Sequence, residues 1–193
     1  MPKTKLILAL SALLATAAPL TAQVGSLSDG TLGQTPPQNA APAPADDVTV
    51  EQIGAWQLQC AKDGPEPRPC RMYQLLADAQ GNAVAEVTMY RLPEGGQAAA
   101  GATFIAPLES LLTVPLTITI GEQVANRVPY AYCNSIGCLA RMGLSAIEAE
   151  YYKSADQALV SIIPARAPDQ VVTVIMSLDG FKEAYEKATP VPQ

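Results

Sequence analysis

The placement of four cysteines constrains this chain more than any other feature. Cys60 and Cys70, then Cys133 and Cys138, each stand where one alternating apolar and polar segment ends and the next begins. A bridge at such a position closes a loop between neighbouring β-strands. Chain-entropy arithmetic for loops of this size gives roughly 2 to 3 kcal/mol per bridge. Four cysteines allow three connectivities, and the strand ends best support the local one, Cys60 with Cys70 and Cys133 with Cys138. Zinc is the competing use of four thiols, but spacings of nine and four intervening residues are wider than structural zinc pairs use. A redox pair would read Cys-x-x-Cys at a helix start, which neither pair does.

The N-terminus supplies an oxidising address for these thiols. Lys3 and Lys5 form a positive start, residues 6–18 are apolar and uncharged, and small residues follow, with cleavage expected after Ala22 or, as a second choice, after Ala17. The apolar run is shorter than the ~20 residues a spanning helix needs, so residues 1–22 read as a signal peptide. No cysteine precedes Cys60, which excludes a lipid-modified N-terminal cysteine. The other long apolar stretch, 98–120, is interrupted by Gly101, Pro107, Glu109 and Pro115 and reads as core strands. The mature chain is therefore expected to be soluble, without a transmembrane span.

Removing residues 1–22 takes two of twelve basic residues and none of eighteen acidic ones, so the mature balance is 10 minus 18, or −8. Such a chain has no basic stripe to neutralise phosphates, which excludes nucleic acid as a natural partner. Residues 23–47 hold Gly, Ser, Ala, Asn and the prolines Pro36, Pro37, Pro42 and Pro44 without periodicity, as a disordered tether does. Residues 48–188 change to apolar segments punctuated by turns and form one domain, leaving 189–193 as a flexible tail.

Period-2 alternation dominates that domain. Strands are expected over 56–60, 71–76, 84–92, 102–106, 116–120, 125–133, 138–142, 158–163 and 171–177, with turns at 78–82 and at Gly121-Glu122. Strands at this spacing favour a sandwich or barrel. Two short helices interrupt them. Ser145 and Glu148 form a capping box that opens a helix to about Lys153, with Leu144, Ile147 and Tyr151 as its apolar stripe. Asp179 is placed to cap a second helix over 180–187, which would pack Phe181, Ala184 and Tyr185 on the sheet.

The chain has no histidine, which excludes every Ser-His-Asp and Cys-His arrangement and every histidine metal site. It has no P-loop, HExxH or GxSxG motif and no GxGxxG after a strand. Paired carboxylates remain, Glu148 with Glu150 and Asp46 with Asp47. Capping and a solvated helix face account for the first pair, and the second lies beside the tether. No catalytic residue, cofactor or metal is assigned.

The order of several blocks resembles the invasion-associated locus B family of exported bacterial proteins. The blocks are Ile53-Gly54-Ala55-Trp56-Gln57-Leu58-Gln59-Cys60, Cys70-Arg71-Met72-Tyr73-Gln74, Ala83-Val84-Ala85-Glu86-Val87, Gly101-Ala102-Thr103-Phe104-Ile105-Ala106-Pro107-Leu108, Val128-Pro129-Tyr130 before Cys133, Gly137-Cys138, and Met176-Ser177-Leu178-Asp179-Gly180-Phe181. The resemblance covers about residues 50–187. It implies a mainly β fold, an immunoglobulin-like antiparallel β-sandwich with two short helices and two local disulfides, in the periplasm, at the outer membrane or secreted. It implies no catalytic residue. The expected role is a non-enzymatic binding or accessory module that meets an envelope or host-surface protein; the alternative is a carboxylate-dependent periplasmic hydrolase.

Overall fold

A computed structural model of the chain describes residues 47–64 and 66–191. The chain divides into two compact units, 1–35 and 36–193, and the described residues belong to the second. The signal peptide, the tether up to Asp46 and the last two residues lie outside them. The described elements are β1 (Val48–Ile53), β2 (Trp56–Ala61), β3 (Cys70–Ala77), β4 (Ala83–Arg91), β5 (Ala100–Ala106), β6 (Leu116–Ile120), β7 (Gln123–Val128), β8 (Tyr130–Asn134), β9 (Gly137–Leu144), α1 (Ala146–Ser154), β10 (Gln157–Ile162), β11 (Val172–Ser177) and α2 (Phe181–Lys187).

The strands form two antiparallel sheets. One has seven strands in the order β1-β2-β3-β4-β5-β9-β8, the other four in the order β11-β10-β6-β7. Alternation decides which side chains go inside: Trp56 and Leu58, Met72 and Leu76, Val87 and Met89, and Ala102 and Phe104 are buried from the larger sheet. They share one core with Leu116, Ile118, Val160, Val174 and Met176 of the smaller sheet and with both helices. Cys60 faces Cys70 and Cys133 faces Cys138 across antiparallel pairs, with Cα–Cα distances of 4.1 and 4.0 Å, and both bridges are formed.

A polar stitch joins the sheets where β11 ends. The indole N–H of Trp56 donates to Ser177 O at 3.0 Å, Gln74 donates to the same carbonyl at 2.9 Å, and Ser177 N–H donates to Gln74 Oε1 at 3.0 Å. Gln74 is buried, so these bonds are what makes an amide tolerable there. Alongside, Ala55 N–H donates to Asp179 O at 3.0 Å, and Trp56 meets Phe181 edge-on with ring centroids 5.4 Å apart. Two glycines permit this approach. A Cβ at Gly54 (φ +55°) would stand 2.5 Å from Asp179 O, and one at Gly180 (φ +76°) would collide with Ile53 O. Sequence blocks more than a hundred residues apart thus meet at one junction.

Several expectations need correction. The segment 125–133 is two strands, because Pro129 has no N–H to give a ladder and the chain crosses there from the smaller sheet to the larger. The strand β1 had no separate signal, since four of its six residues are exposed and its alternation is weak. Helix α1 has the expected capping box, with Glu148 N–H donating to Ser145 Oγ and Ser145 N–H to Glu148 Oε2, and Leu144 of the expected stripe is buried, but within the helix a different side faces the core. Ile147 is 73% exposed and Tyr151 62%, whereas Ala149 and Tyr152 face the core. Tyr152 can be buried because its hydroxyl donates to Asn126 Oδ1 at 2.9 Å and its ring packs on Phe181. Asp179 does not cap α2; Gly180 holds the cap position with no side-chain bond. The start of the expected tail is tied down: Val191 N–H donates to Arg91 O, and the Thr189 hydroxyl donates to the Cys70 sulfur.

Candidate binding face

The outward face of the seven-stranded sheet can be read row by row from the strand register. One row runs Gln57, Tyr73, Thr88, Thr103, Arg141 across β2, β3, β4, β5 and β9. A second runs Leu75, Glu86, Ile105, Leu139, Tyr132 across β3, β4, β5, β9 and β8. On the other side of the first row Gln59 faces Arg71, and Tyr90 faces Gly101, which faces Gly143. Gly101 leaves its backbone uncovered there, while the Ala98 side chain lies over Gly143.

Local contacts hold these groups in place. Arg71 Nε donates to Gln59 Oε1 at 2.8 Å, and Gln59 donates onward to Gln57 Oε1 at 3.0 Å. The Tyr73 hydroxyl donates to Glu86 Oε2 at 2.8 Å; burial, then that bond, pushes its phenol well above the usual range, so it remains a donor. Arg141 donates to Tyr132 Oη at 3.1 Å and lies over the Tyr132 ring, 5.4 Å from its centroid. Neither Arg71 nor Arg141 makes an ion pair among the described residues. On a chain of net charge −6 this face presents two guanidinium groups against one carboxylate.

Between them lies a groove of about 340 Å³, floored by Thr88 and Thr103 and walled by Arg71, Arg141 and Ile136. It continues into an apolar hollow of about 590 Å³ lined by Leu75, Val84, Ile105, Pro107 and the same Ile136. Ile136 is 66% exposed and sits at the tip of the β8–β9 hairpin. The Cys133–Cys138 bridge closes that hairpin, and Ile136 N–H donates to Asn134 Oδ1 at 3.0 Å. Gly137 (φ +151°) lets it lie close against β5: a Cβ there would stand 2.5 Å from Ala106 O. The second disulfide therefore holds the loop that presents Ile136 as well as joining strands.

The carboxylates considered in the sequence are placed elsewhere. Glu148 accepts from Ser145 N–H and Oγ and from Asn126 Nδ2, and these bonds, the backbone one foremost, hold its carboxyl below the usual range. Glu150 pairs with Lys153 at 2.7 Å, Asp47 O accepts from Lys62 N–H, and Asp46 lies outside the described residues. Sequence reasoning did not find the outward face. Its polar positions alternate visibly, but only the register brings Arg71, Tyr73, Glu86 and Arg141 to one surface.

Two stitched antiparallel sheets, a Trp56–Ser177 junction and two cross-strand disulfides define a disulfide-stapled β-sandwich domain. Residues 56–189 match the family described as invasion associated locus B (IalB) protein, and the chain belongs to that family. The crystal structure of invasion associated protein B from Bartonella henselae is similar, with a TM-score of 0.59 and 17% identity over 72% of this chain and 94% of that one; this likeness shows the fold. No curated protein matches the chain. Both bridges fit an extracytoplasmic location. Among the described residues no helix is long and apolar enough to cross a membrane.

Proposed function

We propose that the protein is an exported component of the bacterial envelope that works by binding another protein on the outward face of its seven-stranded sheet, without catalysing a reaction. One observation carries this reading: Arg71 and Arg141, neither ion-paired among the described residues, flank a tyrosine-lined groove on a rigid sheet and adjoin an exposed apolar tip at Ile136. Arginine and tyrosine beside apolar surface are the residue types that dominate binding energy at protein interfaces. The partner that fits is an envelope or host-surface protein offering acidic groups to the arginines and an apolar side chain to the hollow at Ile105 and Ile136. An invasion-associated role accords with the names of the family and of the Bartonella protein.

Crosslinking in intact cells tests this. The native chain is expected to trap one reproducible protein, and the double variant Arg71→Ala/Arg141→Ala to lose it while folding normally. A product of equal yield from the variant, or only uncrosslinked chain under all growth conditions, counts against the proposal.

A further inference from the structure

Edge strands invite other strands to pair, and proteins usually block them with charge, irregularity or cover. Three of the four edges here are blocked. β1 carries Glu51, paired with Lys187 of α2 at 2.6 Å. β8 breaks register between Tyr130 and Tyr132 and bears the Cys133–Cys138 bridge. β7 carries Arg127 and faces a register break between Ile118 and Thr119. β11 has no charge, no proline and no break in its pairing with β10.

Its open backbone groups can be identified. The N–H and C=O of Ser177 turn away from β10, since Gln74 and Trp56 take them, whereas Leu178 N–H donates to Asp156 O on the β10 side. Alternation along a strand then turns the N–H and C=O of Ile175 and Thr173 outward as well. They have no partner among the described residues. The segment Val171-Val172-Thr173-Val174-Ile175 is symmetric in character about Thr173, and its end residues Val171 and Ile175 are 60% and 53% exposed.

We propose that β11 pairs antiparallel with β11 of a second copy about a two-fold axis at Thr173, joining two four-stranded sheets into one. Thr173 then faces the partner's Thr173, and Ile175 faces the partner's Val171, apolar against apolar, as a self-complementary contact requires. The register that pairs the outward groups of Val171, Thr173 and Ile175 together is centred on Thr173; a two-fold at Val172 or Val174 pairs only two of these three residues with one another. Centring the pair on Ile175 would oppose Thr173 to the partner's Ser177, whose backbone groups are already taken, and centring it on Val171 would run off the start of the strand. Ser161, hydrogen-bonded to Thr173 at 3.1 Å, keeps the axial hydroxyl in place.

The test is sedimentation of the exported, disulfide-intact protein. A single strand pair is a small interface, so the dimer is expected at concentrations of order 100 µM and should dissociate on dilution. Thr173→Lys and Thr173→Glu each set like charges on the axis and should be monomeric, while an equimolar mixture of the two should regain the dimer. A wild-type monomer throughout, single variants that stay dimeric, or a mixture that fails to associate overturns the proposal. Should either variant fail to fold, Thr173→Cys decides: Cα atoms about 5.5 Å apart in a hydrogen-bonded antiparallel pair suit a disulfide. Oxidation is then expected to give a covalent dimer, and a chain that stays monomeric contradicts the pairing.

Discussion

The seven-stranded sheet guards both its edges and carries its varied groups on its face, whereas the four-stranded sheet has a plain face and leaves one edge, β11, bare. On the larger sheet an ion pair and a bulged, bridged hairpin protect β1 and β8, while the outward rows hold two arginines, three tyrosines and an apolar tip. On the smaller sheet the outward rows are plain: Ile175, Leu159 and Thr119, then Thr173, Ser161, Thr117 and Arg127. Its bare feature is the β11 edge. On the two proposals, two sheets that share one core thus take different kinds of partner, one by side-chain contact and one by backbone pairing.

The largest test breaks what the sheets have in common. Trp56→Ala removes a fully buried ring and one bond of the stitch, and should destabilise by about 3–5 kcal/mol in urea unfolding. A cost under about 1 kcal/mol would show that the sheets do not depend on that junction. The disulfides come next and divide the comparison. Replacing Cys60 and Cys70 by serine should cost about 3 kcal/mol and leave partner capture intact once folded. The Cys133–Cys138 bridge closes a shorter loop, so replacing both cysteines should cost about 2 kcal/mol, yet it should weaken capture because Ile136 loses its fixed position. Arg71→Ala should cost about 1 kcal/mol, because the half-buried Arg71 gives up its hydrogen bond to the buried Gln59, and Arg141→Ala no more than about 0.5 kcal/mol, as exposed substitutions away from caps and core do.

The smallest effect is on pH dependence. The carboxyl of Glu148 titrates below its ordinary value of 4.5, so the stability it contributes is present above that value and fades as pH falls through the lower, folded one. Glu148→Gln keeps a capping amide but removes the titration. Its stability curve should be flatter than wild type on the acid side of about 4.5, read by thermal melts at stepped pH. An unchanged slope would assign the acid sensitivity elsewhere, as to Asp78 in its hydrogen-bonded turn.

Local physics explains which parts were legible in the sequence. Period 2 and the cysteine spacing pointed to strands and bridges, because both depend on neighbours in the chain. The rotation of α1 was not legible, since burying Tyr152 rather than Ile147 depends on Asn126 from β7 accepting its hydroxyl. Nor was the end of β7 at Pro129 separable from β8 before the two sheets were known. The candidate face was hidden for the same reason. Arg71 and Arg141 are seventy residues apart, and only the pairing of β3, β4, β5 and β9 brings them to one surface.

A photocrosslinking residue placed in turn at Thr88, on the open face of the larger sheet, and at Ser161, on the plain face of the smaller one, tests the central claim most directly. In intact cells the Thr88 position should yield a discrete product with another protein, and the Ser161 position should not. A product from Ser161 alone, equal products from both, or none from Thr88 would contradict a binding role for the seven-stranded face.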